Sequence, residues 1–196
     1  MHHLYHTDGF ILGSFALGEA NKIFLIYTKE FGLLRAQAQG VRLEKSKLKS
    51  HLQDFSFINV SLVRAREFWR ITNASLDWNV FGEIFYSDDK KKVLSRIISL
   101  CRRLINGEEK NEAVFQTLSS GISLLKDKDF PVDKLADFEA VMVLRILAHL
   151  GYMGESEFLS RFTEAPAVSF KLVETIRPHL RSALVSINES LRATNL

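Results

Sequence analysis

The hydrophobic period of this 196-residue chain changes once along its length, and this change constrains the fold more than any other feature. Up to about residue 80, apolar and polar residues alternate in short runs, which is the period of β-strands with one face in water. From Ser87 onward, apolar residues recur every three to four positions, the period of amphipathic helices. We therefore predict an α+β protein, with a β domain over residues 1–80 and a helical domain over residues 81–196.

The first domain is predicted to contain five strands. They lie in the segments DGFILGSF, KIFLIYT, LLRAQAQGV, FSFINVSLVRA and EFWRITNASL. Short turns join the first three strands, and a hairpin at Arg66 and Glu67 joins the last two. Five short strands suit a closed barrel, because closure removes the exposed edges of a small sheet. The long connection between the third and fourth strands favours an OB-fold.

The second domain is predicted to be a bundle of five helices. Its first helix begins at a Ser/Asp cap and ends before Asn106-Gly107, in the expected order of start and stop signals. The helix that follows Pro131 is apolar nearly all round between Phe138 and Leu150, so we expect it to form the buried centre of the bundle. Pro178 is expected to kink the last helix.

The connection between the third and fourth strands is strongly basic. Residues 35–51 hold five Lys/Arg and one acid, a local charge of +4, whereas the whole chain carries +3. Such a local excess indicates a phosphate-rich partner, although lysine-rich loops also serve solubility alone. The candidate nucleic-acid-binding residues are Arg35, Gln39, Arg42, Lys45, Lys47 and Lys49 in strand three and its loop, with Arg64, Arg66 and Arg70 around the last hairpin.

Two phenylalanines are candidate stacking platforms for bases. Phe57 and Phe68 point, by parity, away from the face that carries Ile58 and Val60. In OB-folds, an aromatic ring that stacks on a base contributes about 1–3 kcal/mol. The alternative is that these rings pack against the helical domain. Trp69 has the opposite parity and is predicted to lie in the barrel core.

The sequence lacks the signatures of an enzyme. There is no Gly-rich phosphate loop, and the single cysteine, Cys101, excludes an internal disulfide and a Cys-rich zinc site. No run of eighteen apolar residues and no signal-peptide pattern occur. We therefore expect a cytoplasmic, non-enzymatic protein that has no cofactor, no metal and no membrane partner.

Several motifs, in order, resemble those of the bacterial RecO family of recombination mediators. A Glu-centred turn at Gly18-Glu19 precedes the motifs YTKEFG (27–32), QGVR (39–42) and LQDF (52–55). In the second half, the segment 138–152 is similar to the central Phe-Glu … Leu-Gly-Tyr helix of the family. The resemblance spans most of the chain.

The resemblance implies a DNA repair factor whose N-terminal domain is an OB-fold. Such proteins bind single- and double-stranded DNA and anneal complementary strands. With a RecR-like partner they help load a recombinase onto DNA coated by single-strand-binding protein. Residue by residue, the resemblance implies that the basic surface of strand three and its loop is formed by Arg35, Arg42, Lys45, Lys47 and Lys49.

The chain departs from the family pattern at several positions. Gln39 and Asp54 replace a usual lysine and proline, which makes the groove less positive. No cysteine follows Leu-Gly-Tyr, so we expect a short form without the zinc site of many members. Ala136-Asp137 stands where some relatives place basic residues that hold the acidic tail of single-strand-binding protein. A helical face could substitute as a partner-binding surface or be merely solvated; it carries Lys92, Arg96 and Arg103.

Two other functions fit the same residues. In one, the barrel and helices form a scaffold whose basic loop recognises an acidic peptide tail instead of DNA. In the other, the chain is an RNA-binding OB-fold protein, because RNA offers the same phosphates and base faces. A comparison of matched DNA and RNA strands, with an acidic peptide as competitor, separates the three.

Overall fold

The computed structural model describes residues 3–66, 68–154 and 157–194. Contacts divide the chain into two compact units, one formed by Met1–Glu83 with Asn106–Asn111 and the other by Ile84–Ile105 with Glu112–Leu196. The short segment 106–111 therefore belongs to the same unit as the strands, although it follows a helix of the other unit in the sequence.

The first unit is a closed five-stranded barrel. Its strands are Leu4–Leu17 (β1), Asn21–Thr28 (β2), Gly32–Ala38 (β3), Ser56–Arg64 (β4) and Trp69–Asn79 (β5). The order is β1-β2-β3-β5-β4, and the sheet closes because β1 pairs with both β2 and β4. The pairing of β3 with β5 is parallel, and the other pairings are antiparallel. The predicted α+β class with an N-terminal OB-fold barrel is confirmed.

The barrel interior follows the alternation read from the sequence. In β3, Leu34 and Ala36 are buried inside, whereas Arg35 between them is exposed. Trp69 is only 3% exposed and belongs to the interior cluster, as its parity predicts. Strand β1 is long enough to pair on both sides, and its register with β2 shifts at Gly13. Gly13 has φ 155°, and such a bulge bends a strand around a small barrel.

The second unit is helical. It follows a single helical turn, Val80–Glu83 (α1), that still belongs to the barrel unit. Its own helices are Asp88–Leu104 (α2), Glu112–Lys126 (α3), Leu135–His149 (α4), Glu157–Thr163 (α5), Phe170–Thr175 (α6) and Leu180–Ala193 (α7). Helix α4 packs against α2, α3, α5, α6 and α7, so the predicted buried helix is the centre of the bundle. The predicted last helix is divided into α6 and α7 by a 3-10 turn that contains Pro178.

The ends of α2 follow the local rules for helix termini. Ser87 Oγ accepts a hydrogen bond from the backbone N–H of Lys90 at 3.3 Å, and Asp88 and Asp89 occupy the first turn. Cys101 lies on the buried face of this helix with no exposed surface. Within residues 3–66, 68–154 and 157–194, no helix has both the length and the apolar character needed to cross a bilayer.

Candidate nucleic-acid interface

The barrel unit carries two concavities. The first, of about 560 Å³, we call the strand cleft; it is lined by Leu17, Ile23, Leu33, Arg35, Gln37, Phe68, Trp69, Asn106, Gly107 and Glu108. The second, of about 480 Å³, we call the loop pocket; it is lined by Lys22, Val41, Arg42, Lys49, Leu52, Gln53 and Asp54. Lys22 and Ile23 are consecutive residues of β2, so their side chains leave the strand on opposite sides, and each lines one of the two concavities.

The strand cleft combines cations, an amide and an apolar wall. Arg35 is exposed because the alternate residues of β3 face outward. Arg70 of β5 lies directly beside Gln37, through the parallel pairing of the two strands. Phe68 is 40% exposed at the rim, which leaves part of its ring available to a stacked base. In OB-folds, the face of strands two and three and the loop between strands four and five form the binding surface, and the cleft occupies this position.

The loop pocket brings together three cations. Lys22, Arg42 and Lys49 line it, with the half-buried Asp54 as the acid among the lining residues. The Nη1 atom of Arg42 donates to the carbonyl oxygen of Gly18 at 2.7 Å. Because this acceptor is a neutral carbonyl, it orients the guanidinium without neutralising it. Lys22 was not among the residues predicted from the sequence, although its position directly after the first turn of an OB barrel indicates a place on the binding surface.

The basic loop is anchored by apolar residues, so its lysines remain in water. Val41 and Leu52 are 3% and 5% exposed and belong to the barrel core. Lys45, Lys47 and Lys49 are exposed between these two anchors. Among the described residues, no carboxylate forms an ion pair with any of the three lysines. Their positive charges are therefore available to a polyanion.

Two further predicted residues lie close to this surface. Gln39 is exposed immediately after β3. Arg66 is exposed in the connection between β4 and β5, two residues before Phe68 of the strand cleft. Glu67, the second residue of the predicted hairpin, lies outside the described residues.

Arg64 differs from the other predicted cations because a carboxylate holds it. Its Nη1 atom lies 2.9 Å from Oε2 of Glu108, and its guanidinium lies 5.2 Å from the centroid of the Trp69 ring. The other carboxylate oxygen of Glu108 accepts a hydrogen bond from Nε1 of Trp69 at 3.0 Å. Arg64 therefore does not present a free charge, since Glu108 occupies the place that a phosphate would take, and its role in nucleic-acid binding stays a prediction.

The segment 106–111 holds Glu108 in this position. The backbone N–H of Leu33 donates to the carbonyl of Gly107 at 3.2 Å, and the hydroxyl of Tyr27 donates to the carbonyl of Asn111 at 3.1 Å. Gly32 has φ 66°, and a Cβ atom there would overlap the backbone of Glu109. The absence of a side chain at Gly32 thus permits the segment to lie against the barrel.

Phe57 is not available to a base. It points away from the barrel interior, as predicted, but it is only 6% exposed. Its ring stacks on Trp78 with centroids 4.3 Å apart and lies 4.7 Å from the ring of Phe10. The candidate role of Phe57 as a stacking platform is therefore corrected, because aromatic neighbours on the outer barrel surface cover it.

The helical face predicted as a partner surface is largely internally paired. Arg96 Nε and Nη2 each donate to an oxygen of Glu139 at 2.5 Å, and these hydrogen bonds raise the pKa of Arg96. Lys92 lies 3.3 Å from Asp89. Arg103 is exposed and lines an apolar groove of about 680 Å³ between α2, α4 and α7. Two of the three cations on this face thus pair with carboxylates of the chain, and the partner-binding role of the face stays a prediction.

The comparisons with known proteins agree with the geometry of the barrel. Residues 1–77 match the family model described as "Recombination protein O N terminal". This chain is similar to RecO proteins. Three curated relatives carry the name DNA repair protein RecO: those of Alkaliphilus metalliredigens (26% identical over 136 residues), Myxococcus xanthus (28% over 166) and Dehalococcoides mccartyi (30% over 153).

The matches to these RecO relatives extend well beyond the barrel. They cover 67%, 83% and 78% of this chain, in the order given. They cover 53%, 65% and 58% of the relatives, so the chain spans between about half and two thirds of the length of the proteins that it matches. The family predicted from the motifs 27–32, 39–42 and 52–55 is confirmed.

Proposed function

We propose that this protein acts in DNA repair and recombination by binding single- and double-stranded DNA, without sequence preference, through the strand cleft and the loop pocket. The observation that carries the proposal is a group of exposed cations on one barrel with which no described carboxylate forms an ion pair. Arg35 lines the cleft, Arg70 lies beside the cleft residue Gln37, and the loop contributes Arg42, Lys45, Lys47 and Lys49. The match of residues 1–77 to the N-terminal domain of recombination protein O supports the same conclusion.

In this proposal, the loop cations bind phosphates and the cleft receives one or more bases. Phosphate contacts release counterions and carry no sequence information, so binding is general and sensitive to salt. Phe68 provides a ring face for stacking, and Gln37 and Gln39 provide amides beside it. Neutralised phosphates reduce the repulsion between two strands while most base edges stay free to pair. Strand annealing therefore needs no catalytic group, and the proposal includes none.

The proposed protein partners follow from the family. We propose a cytoplasmic RecR-like mediator as a partner and a role in loading a recombinase onto DNA coated by single-strand-binding protein. Arg96 is not available to the acidic tail of single-strand-binding protein, because Glu139 already pairs with it. The exposed cation that remains beside the apolar groove of the helical unit is Arg103.

The test compares three partners at physiological salt. Filter binding measures the affinity for a labelled single strand of DNA, for the RNA strand of the same sequence, and for DNA in the presence of an acidic peptide. The proposal predicts tight DNA binding that the peptide does not displace, and faster annealing of complementary DNA strands. Preference for RNA would favour an RNA-binding role, and displacement by the peptide would favour a protein scaffold.

A further inference from the structure

The helical unit contains a second, separate concavity, of about 1060 Å³. Helices α3, α4 and α5 enclose it, and its lining residues include Ala113, Gln116, Arg145, His149, Ser160 and Thr163. This volume matches that of pockets that bind small molecules. Neither the barrel surface nor the proposed DNA binding involves these residues.

Arg145 is buried in the wall of this cavity. It is only 2% exposed, and it is held by two neutral acceptors. Its Nε atom donates to the hydroxyl oxygen of Thr117 at 3.2 Å, and Nη1 donates to the carbonyl oxygen of Phe162 at 2.6 Å. Among the described residues, no carboxylate pairs with Arg145 and no atom accepts a hydrogen bond from its Nη2.

A buried cation without a counterion is unusual, because removing a charge from water is unfavourable unless an opposite charge replaces the water. Burial lowers the pKa of Arg145, and no carboxylate opposes this effect. Two other charged side chains in the described part of this unit are fully buried, and the protein surrounds both with polar or aromatic partners. The ammonium group of Lys90 donates to a backbone carbonyl oxygen at 2.5 Å and lies over two aromatic rings. Asp137 receives two hydrogen bonds from Arg177, at 3.1 and 3.2 Å, and has Lys134 at 4.0 Å. Of these three buried charges, Arg145 is the one that lines the cavity, and no described residue accepts a hydrogen bond from its Nη2 atom.

We propose that the cavity binds a small molecule through an oxyanion, either a carboxylate or a phosphate, that pairs with Arg145. The fork of the guanidinium suits such planar or tetrahedral anions, and Thr117 and Phe162 already fix its orientation. Burial and the charge of Arg145 both lower the pKa of His149, so the neutral imidazole lines the same cavity without repelling a cationic portion of the ligand.

The remaining charges of the cavity restrict the class of ligand. Glu112 and Glu164 also line it, and both are exposed whereas Arg145 is buried. Carboxylates on the solvent side disfavour a polyanion such as a nucleic-acid strand. The ligand class is therefore a small molecule with one oxyanion group, and this distinguishes the cavity from the loop pocket.

The experiment measures thermal unfolding of the whole chain with inorganic phosphate or with acetate, at ionic strength held constant with chloride. For a dissociation constant of about 2 mM, 40 mM of the bound anion raises Tm by about 4 °C. The two probes separate a phosphate site from a carboxylate site. If neither probe raises Tm relative to chloride, the proposal is overturned.

Three variants assign the effect to the cavity. Arg145→Gln should abolish the increase in Tm. Because Arg145 is buried, replacing it also alters packing, so Ala113→Trp tests the site independently. Ala113 is exposed on the cavity wall, so a large side chain there fills the cavity and leaves the guanidinium in place. Replacing the three loop lysines at 45, 47 and 49 by Ala should leave the shift intact.

Two results with these variants contradict the proposal. A shift that persists in Ala113→Trp would show that the anion binds elsewhere, and a shift lost in the loop-lysine variant would assign it to the barrel.

Discussion

Replacing Glu108 by Gln should strengthen DNA binding. In the structure, Glu108 pairs with Arg64 at 2.9 Å and accepts a hydrogen bond from Trp69 at 3.0 Å, inside the strand cleft. Glutamine is nearly isosteric and keeps an amide oxygen that can accept from Trp69. The substitution therefore removes a negative charge from the proposed DNA site and releases Arg64, with little change in shape.

The size of the effect follows from the number of charges released. Each additional phosphate contact on a single strand changes the slope of log K against log salt by about −0.7. One contact made by Arg64 thus raises the affinity about fivefold at 0.1 M salt, and the gain vanishes towards 1 M. The side chains of the pair are 59% and 41% exposed, so its loss should lower the free energy of unfolding by less than about 1 kcal/mol.

The assay is fluorescence anisotropy with a labelled oligo-dT at several salt concentrations. Glu109→Gln is the matched control, because it removes the same charge one residue away. Glu109 is exposed and forms no ion pair with a described residue. We expect the control to change the affinity by less than about twofold. Equal effects of the two substitutions, or weaker binding by Glu108→Gln, would refute the role assigned to Glu108.

Two other predictions concern the barrel and the helical unit. Gly32→Ala places a side chain at φ 66° against the backbone of Glu109, so it should lower the free energy of unfolding by about 2 kcal/mol, measured in urea by circular dichroism; an unchanged midpoint would contradict the close approach. Burial raises the pKa of Cys101 to about 12, so the native thiol should react with a disulfide reagent at pH 8 far more slowly than the unfolded chain. The unfolded thiol titrates near pH ~8.5, so burial of the neutral thiol stabilises the fold fully below that pH, and this stabilisation is lost as the pH rises to about 12. Rapid labelling of the native protein would contradict the burial of Cys101.

Local patterns predicted the barrel and its basic loop well. The alternation in β3 placed Leu34 inside and Arg35 outside, and the parity of β5 placed Trp69 in the core. These features depend on residues that are neighbours in the sequence, and a closed sheet leaves little choice once the strands are assigned. Pro178 likewise marked the division between α6 and α7, because its ring and missing N–H act locally.

Contacts between distant residues were not predictable in this way. Glu108 reaches Arg64 across 44 positions, and Glu139 reaches Arg96 across 43. Each pairing removes a cation that, from the sequence, looks available to a partner. Phe57 was predicted to face outward correctly, but the ring of Trp78 that covers it comes from the neighbouring strand. Parity gives the direction of a side chain and does not reveal what lies over it.

The central claim is that the exposed cations of the β3–β4 loop bind phosphates, and the salt dependence of DNA binding tests it most directly. If about four phosphates are contacted, log K for oligo-dT should fall with log salt at a slope of about −3. Replacing Lys45, Lys47 and Lys49 by Ala should weaken binding to all sequences alike and bring the slope to about −1. The matched control removes three exposed lysines of the helical unit, Lys92, Lys128 and Lys171, and should keep the original slope. An unchanged slope in the loop variant would show that these lysines do not contact DNA and would contradict the proposed interface.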